Sequence, residues 1–320
     1  MECDLIMTAA DMEASREKWR EVRRDSIGGS EAAAIMGLSP WKSAYTLWLE
    51  KTGQLQEENK EENKADNEAV HFGSLLENIV AAEFCHREGK KVKKCGLYRS
   101  REFPFLTGSF DRLVIGENAG LECKTTSAYA RDKWDDGQIP PAYYVQCQHY
   151  MLVSGLPRWY IACLVGGNHF VSWIVERDEK DIATLLEAEQ AFWDKVQRGV
   201  MPDIDGSDST TSSLKEIYKG GSVEPITLPA STSDLLQRWD ELKRLETDLK
   251  GQKQEVQNKL CALLGDNEVG IVGEGEAARK VSWKTTAGRT TIDTKALKAD
   301  LPDVFEKYSK AGSSSRRFTA

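Results

Sequence analysis

Residues 110–126 read FDRLVIGENAGLECKTT. The GENAG segment is a turn signal between two short aliphatic runs, the pattern of a β-hairpin. With the turn centred near Gly116–Glu117, Asp111 and Glu122 become cross-strand neighbours with Cβ atoms roughly 5 Å apart. Lys124 follows Glu122 at the two-residue period of a strand, so it projects from the same face. Two carboxylates this close repel each other unless a cation sits between them. Oxygen ligands suit a hard divalent ion, Mg²⁺ or Mn²⁺. Phosphodiester hydrolysis needs this inventory: carboxylates to hold the ion, and a lysine to position or help deprotonate the attacking water. Asp, Glu and Lys at this spacing also fit an ordinary solvated hairpin, but the flanks FLTGSF and GLECKTT are too apolar for one wholly in water.

Outward from the hairpin, KKVKKCGLYRS, FPFLTGSFDRLVI, GLECKTT, RWYIACLV and HFVSWIV read as strands. A helix, PAYYVQCQHYMLVSG, lies between the third and fourth, and EKDIATLLEAEQAFWDKVQRG follows the last. Upstream, DMEASREKWREVRRD and SPWKSAYTLWLEKTG read as helices around the glycine-rich turn SIGGSEAAAIMG. HFGSLLENIVAAEFCHREG carries an apolar stripe at 72, 75, 76, 79, 80 and 84 that ends at Gly89. The polar run 56–68 predicts a solvated loop or helix start. Helices, a short mixed sheet and a closing helix predict one α/β (α+β) domain over residues 11–205. Ser-, Gly- and Asp-rich residues 206–225 read as a linker.

Residues 226–320 form a C-terminal accessory region. Leu235, Leu242, Leu249, Val256 and Leu263 recur at a spacing of seven, so a long helix with one apolar seam is expected. Arg238, Gln252 and Lys259 interrupt the opposing positions, which leaves packing on its own chain and self-association both open. A small β-plus-helix unit follows.

The formal charge of −8 over 320 residues speaks against broad nucleic-acid binding. That average hides ten Lys/Arg against five Asp/Glu in residues 276–320, a basic end on an acidic body. Its Arg316 and Arg317 suit either an inert solvated tail or contact with DNA phosphates. The seven cysteines are scattered without a C-x-x-C pair, which suits a reducing compartment and disfavours structural zinc or iron–sulfur. No apolar run is long enough to span a bilayer and the N-terminus lacks a signal-peptide pattern, so a cytoplasmic protein of a bacterial host, without a membrane partner, is expected.

Five motifs occur in order: R-x6-S (Arg23 to Ser30), G-x3-E (Gly73 to Glu77), G-S-F-D, L-E-C-K, and Y-x2-Q-x-Q (Tyr143, Gln146, Gln148). Over residues 15–200 this series resembles the YqaJ-like phage recombinases, which belong with the lambda exonuclease group of PD-(D/E)xK nucleases. The resemblance implies a restriction-endonuclease-like core with a central mixed sheet flanked by helices. It implies metal ligation by Asp111, Glu122 and the main-chain carbonyl of Cys123, with Lys124 as the catalytic lysine. Glu77 completes the acidic site and Gln146 orients the metal-water network, with Gln148 as its rival. Arg23 and Ser30 hold the phosphate at the 5′ end, although Arg24 could exchange roles with Arg23.

The implied activity is Mg²⁺-dependent 5′-to-3′ digestion of double-stranded DNA ends, leaving 3′ overhangs for a single-strand annealing protein, by a homo-oligomer. A structure-specific or repair endonuclease and an idle DNA-binding scaffold are the rival readings. His149, Tyr143, Tyr144, Trp41 and Trp48 read first as core residues, with base-stacking platforms as the alternative for the two tyrosines and a wedge on the DNA path for the two tryptophans.

Overall fold

The computed structural model describes residues 1–55, 68–222, 224–310 and 316–319, and the chain divides into two compact units, Met1–Lys219 and Gly220–Ala320. The polar run 56–67 lies outside the described residues.

The first unit opens with β1 (Cys3–Met7), α1 (Ala9–Ala14), α2 (Arg16–Arg24), β2 (Ile27–Gly28), α3 (Gly29–Ile35) and α4 (Ala44–Lys51). It continues with α5 (Glu68–Glu88), β3 (Val92–Lys94), β4 (Leu97–Ser100), β5 (Leu106–Ser109), β6 (Arg112–Val114) and β7 (Ala119–Thr126). Then come α6 (Pro141–Ser154), β8 (Arg158–Val165), β9 (His169–Glu176), α7 (Glu179–Arg198) and α8 (Asp208–Ile217). The expected helix over residues 11–25 is broken at Ser15, and most of the expected glycine-rich turn is helix α3. Gly155 and Gly199 end α6 and α7 in the left-handed region, the usual C-terminal stop.

Among the described residues of this unit two sheets form, ordered β1-β4-β5-β2 and β3-β6-β7-β8-β9. In the larger sheet β7 and β8 are parallel, joined by the crossover helix α6, and the other pairs are antiparallel. Each of the stretches 90–100 and 103–115, expected as single strands, splits into two strands that belong to different sheets. The break falls at Gly96 and Phe110, where Phe110 N–H donates to the Gly96 carbonyl (3.0 Å) and Cys95 N–H to that of Asp111 (3.2 Å). A Cβ on Gly96 would lie 2.1 Å from the Met7 carbonyl oxygen, so only glycine passes this crossing.

Side chains alternate across the large sheet, as the strand period requires. Ala119, Leu121, Tyr160 and Ala162 pack on Val80, Ala81 and Phe84 of α5. Trp159, Ile161 and Cys163 pack on the opposite face with Cys147, Tyr150 and Met151 of α6. The result is the mixed α/β fold expected, a sheet covered by helices on both faces. Half the predicted stripe of α5 is exposed, however: Phe72, Leu75 and Ile79 face out, and burial is confined to Val80, Ala81 and Phe84.

Within the residues read as a linker, 208–217 form α8. Ser207 caps it, and Thr210 and Ser213 are buried against α4, with Thr210 Oγ1 to Ser43 Oγ at 2.8 Å and Thr46 Oγ1 to Ser213 Oγ at 2.9 Å. Its hydroxyls satisfy one another, so a polar composition packs as a helix.

The second unit consists of α9 (Thr232–Leu264), β10 (Val269–Val272), β11 (Arg279–Ser282), α10 (Thr294–Asp300) and α11 (Pro302–Tyr308). The antiparallel β10–β11 hairpin and the α10–α11 pair make the small β-plus-helix unit that follows the long helix. All seven cysteines are free, and among the described residues no helix is long and apolar enough to cross a membrane.

Candidate active site

Strands β6 and β7 pair Arg112 with Leu121 and Leu113 with Gly120. One step further along the same register, Asp111 stands opposite Glu122. The contact is direct: Cys123 N–H donates to Asp111 Oδ2 at 2.8 Å. Asp111 therefore sits where the chain leaves one sheet for the other, and its carboxylate is aimed along β7. Burial raises the Asp111 carboxyl well above the ordinary aspartate value, and the nearby Glu122 and Glu77 charges add to the rise.

Glu122 and Lys124 point to the face covered by α6. Glu122 is buried, and its Oε1 receives Gln146 Nε2 (2.8 Å) and Lys124 Nζ (2.6 Å). Its Oε2 is buried with no hydrogen-bond partner. Gln146 completes a ring by accepting from Lys124 Nζ at 3.1 Å and donating to Tyr150 Oη at 2.7 Å. Burial alone would lower the Lys124 ammonium, but Glu122 and Asp111 hold it above the ordinary lysine value.

An orphaned carboxylate oxygen on Glu122 and, opposite it, the Asp111 carboxylate that resists ionisation form a hard, anionic donor pair. These residues fit a divalent cation bound through oxygen. Among the described residues no three His, Cys, Asp or Glu side chains gather as a ligand cluster.

Glu77 reaches this centre from α5. Arg112 clamps it: Nη1 donates to Glu77 Oε1 at 2.6 Å and to the Asp111 carbonyl at 2.7 Å, while Nη2 donates to Asn78 Oδ1 at 2.7 Å. Gln148 is not part of the site. Its amide donates to the Glu176 carbonyl (2.9 Å) and accepts from Asp178 N–H (3.1 Å), which fastens α6 to the start of α7.

Arg23 is the partly buried member of its pair, and Arg24 is exposed. Its guanidinium donates to Glu31 at 2.8 Å and lies over the Trp19 ring. Glu31 is itself buried, accepting from Lys51 Nζ (2.8 Å) and Gly28 N–H (2.9 Å). Burial opposes its ionisation, yet the Lys51 and Arg23 charges lower it to about 2. Ser30 is exposed in the first turn of α3. The link between this turn and the carboxylates is Tyr150: a Cβ on Gly29 would meet its ring at 2.4 Å, and its hydroxyl holds Gln146.

His149 is structural, as expected. Its ring nitrogens face Glu189 Oε1 at 2.6 Å and the Thr107 carbonyl at 2.8 Å, and all of its surface is buried. Tyr144 bonds Asp181 (2.6 Å), and Trp48 is core. Trp41 is not core. It is 64% exposed, with its ring centroid 5.8 Å from that of Tyr143, and the Tyr143 ring in turn lies tilted by 33° against Trp134 (centroids 5.5 Å apart) with its centroid 4.8 Å from Lys124 Nζ.

Tyr150, Arg112, Glu31 and Lys51 were not singled out by sequence reasoning. Tyr150 had a signal, the one-turn i, i+4 spacing from Gln146. Arg112 had its position beside Asp111. The Glu31–Lys51 pair spans two helices and had none.

A model of the YqaJ-like viral recombinase domain matches residues 18–157. The chain is 42% identical over 308 residues to the protein YqaJ of Bacillus subtilis (strain 168), covering 94% of this chain and 93% of that protein. It is 27% identical over 124 residues to protein D345L of African swine fever virus (strain Badajoz 1971 Vero-adapted), covering 37% of this chain and 31% of that protein. Among solved structures it is similar to an alkaline exonuclease (LHK-Exo) from Laribacter hongkongensis, with TM-score 0.49 and 21% identity over 57% of this chain and 94% of that one. Matched over 94% of its length by a relative 42% identical and over its carboxylate-bearing part by the family model, the chain belongs to the YqaJ-like viral recombinase family.

Proposed function

We propose that the chain is a divalent-metal-dependent deoxyribonuclease that degrades one strand of linear double-stranded DNA from the 5′ end and leaves a 3′ single-stranded overhang. The unpartnered Oε2 of buried Glu122, opposite Asp111 and beside Lys124, carries this reading. Asp111, Glu122 and the Cys123 carbonyl would hold Mg²⁺, with Mn²⁺ as the alternative. Bound there, the ion polarises the phosphate and acidifies a water.

The chain's own groups orient the rest. Gln146 ties up Oε1 of Glu122, so Oε2 is the oxygen left to bind. Lys124, kept protonated by its two carboxylates, presents a cationic donor to the developing negative charge. A water oxygen attacks phosphorus, the P–O3′ bond breaks, and the departing oxygen takes a proton. The shortened strand keeps a 5′-phosphate. Arg23 and Ser30 hold that terminal phosphate with a guanidinium and a hydroxyl beside the first amides of α3. The overhang is the substrate of a single-strand annealing protein in phage-type recombination in the bacterial cytoplasm, and more than one copy of the chain supports digestion without release.

The test is digestion of 5′- and 3′-labelled linear duplexes beside a closed circle, with Mg²⁺ and with EDTA. Early release of the 5′ label, an intact circle, full inhibition by EDTA and faster digestion of 5′-phosphorylated than 5′-hydroxyl ends are expected. Cleavage of the circle, early release of the 3′ label or activity in EDTA would overturn it.

A further inference from the structure

Helix α9 has 33 residues, a length of about 50 Å at 1.5 Å per residue. A helix this long relies on packing of an apolar face for most of its stability. Yet Leu235, Leu242, Leu249, Val256 and Leu263 are all exposed, Leu249 at 63% and Leu263 at 85%. Trp239 and Leu260, four residues beyond Leu235 and Val256, widen the same stripe; both keep over a third of their surface exposed, and the Trp239 ring also meets Phe318 edge-on at 5.1 Å. Within its own unit, only Leu264 at the C-terminal end is buried.

The charges on this helix say what covers it. Residues 232–248 carry five Asp/Glu against three Lys/Arg, whereas residues 249–264 carry one against three. One half is acidic and the other basic. The stripe itself is interrupted by two charges at the seven-residue repeat of Trp239 and Leu260, namely Glu246 and Lys253, which fall on either side of Leu249. Among the described residues neither has a side-chain hydrogen bond or ion pair, and the same holds for Asp234, Asp240, Arg244 and Lys250, while Arg238 pairs with Glu241 and Lys259 with Glu255.

We propose that α9 pairs with α9 of a second copy of this chain, antiparallel, about a two-fold axis near Leu249. In that arrangement each Glu246 meets Lys253 of the other copy, and each acidic half meets a basic half. Trp239 and Leu260 then fill opposite ends of the seam against the Leu/Val row. A parallel pair sets Glu246 on Glu246 and Lys253 on Lys253, which is repulsive at both places. This interface does not depend on the nuclease reading, since none of its residues belongs to the carboxylate site.

The test is the mass of the full chain in solution, read by analytical ultracentrifugation over a micromolar concentration series. The wild type is expected to self-associate. Glu246→Lys and Lys253→Glu each turn both symmetry-related contacts into like-charge contacts, so each is expected to raise the dissociation constant at least about tenfold. The double variant, Glu246→Lys with Lys253→Glu, restores association, since the pairs reform with their signs exchanged. Helical content by circular dichroism checks that the variants fold.

Cysteine cross-linking fixes the direction, in a Cys261→Ser background. Leu249→Cys lies beside the axis and links to its own copy. Leu235→Cys and Leu263→Cys are then roughly 40 Å from their own copies and do not. A wild type that stays monomeric, single reversals without effect, a double variant that fails to recover, or self-linking at Leu235→Cys would overturn the proposal. Uniform self-linking at all three positions would mean a parallel pair.

Discussion

Asp111 serves two masters at the level of single atoms. Its Oδ2 accepts the Cys123 amide, and its charge is opposed by burial and by Glu122 and Glu77. A carboxyl whose pKa is raised on folding contributes stability at pH values below its unfolded value, and that contribution is lost as pH rises through the folded value. At neutral pH without metal the charge therefore opposes folding. Asp111→Asn keeps an acceptor for the amide and removes the charge. It is expected to abolish Mg²⁺-dependent digestion while raising Tm in EDTA at pH 7, and the gain should vanish in acid. One relieved like-charge contact is worth about 1 kcal/mol or more, read as roughly 2–4 °C in a melting curve. A lower Tm at neutral pH would contradict the repulsion.

Glu31 has the opposite sign. Its carboxyl is lowered to about 2, so its stabilising contribution is present above 4.5, the ordinary glutamate value, and is lost as pH falls toward 2. Glu31→Gln leaves Arg23 and Lys51 without their shared anion and is expected to cost roughly 3 kcal/mol or more. Denaturant unfolding at pH 7 measures it, and the loss should shrink at acid pH.

At the scale of elements, the crossover helix α6 decides which polar residues meet the sheet. Gln146 and Tyr150 are one turn apart on its inner face, whereas Gln148, rotated by about 200° from Gln146, meets the β9–α7 corner instead. Gly29 at the start of α3 leans on the Tyr150 ring. Gly29→Ala should displace that ring, at a cost of roughly 1–3 kcal/mol for overpacking. Because Tyr150 holds Gln146, it should also slow digestion on both 5′-phosphorylated and 5′-hydroxyl duplexes. A loss confined to phosphorylated ends would mean that α3 serves the phosphate alone.

The same elements show what could be read from the sequence. The β6–β7 register was legible, because GENAG locates the turn and a turn fixes every cross-strand pair. The choice between Gln146 and Gln148 was not, since an almost wholly buried helix has no polar face to orient it. Strand switching at Gly96 and Phe110 was hidden because each segment keeps its strand period through the crossing. Helix α8 reads as linker in sequence because Ser and Thr facing each other pack as well as an apolar face while keeping a linker's composition. Residue type alone puts Trp41 in the core, whereas its loop leaves it in solvent.

At the scale of the molecule, the acidic site, Arg23, Ser30 and Tyr150 all lie within Met1–Lys219. A chain ending at Lys219 is expected to fold and to cleave short duplexes at a rate within about threefold of the full chain, a difference of about 0.7 kcal/mol. It should also lose self-association through α9. Loss of cleavage in a truncated chain that still melts cooperatively would show that residues 220–320 supply part of the chemistry.

Two chain segments cross from one sheet of the first unit to the other side by side, and Asp111 stands at the crossing. Neither sheet can peel away without dragging the other, so the two should behave as one cooperative block rather than as separate breathing units. The amide protons of Cys95 and Cys123, both held by Asp111, are therefore expected to exchange with deuterium only through global unfolding, and at matching free energies. Faster exchange at either amide would mean that the sheets open independently. If they do not, the residue proposed to hold the metal is also the rivet on which the longevity of the folded state hangs, and local loosening cannot reach it.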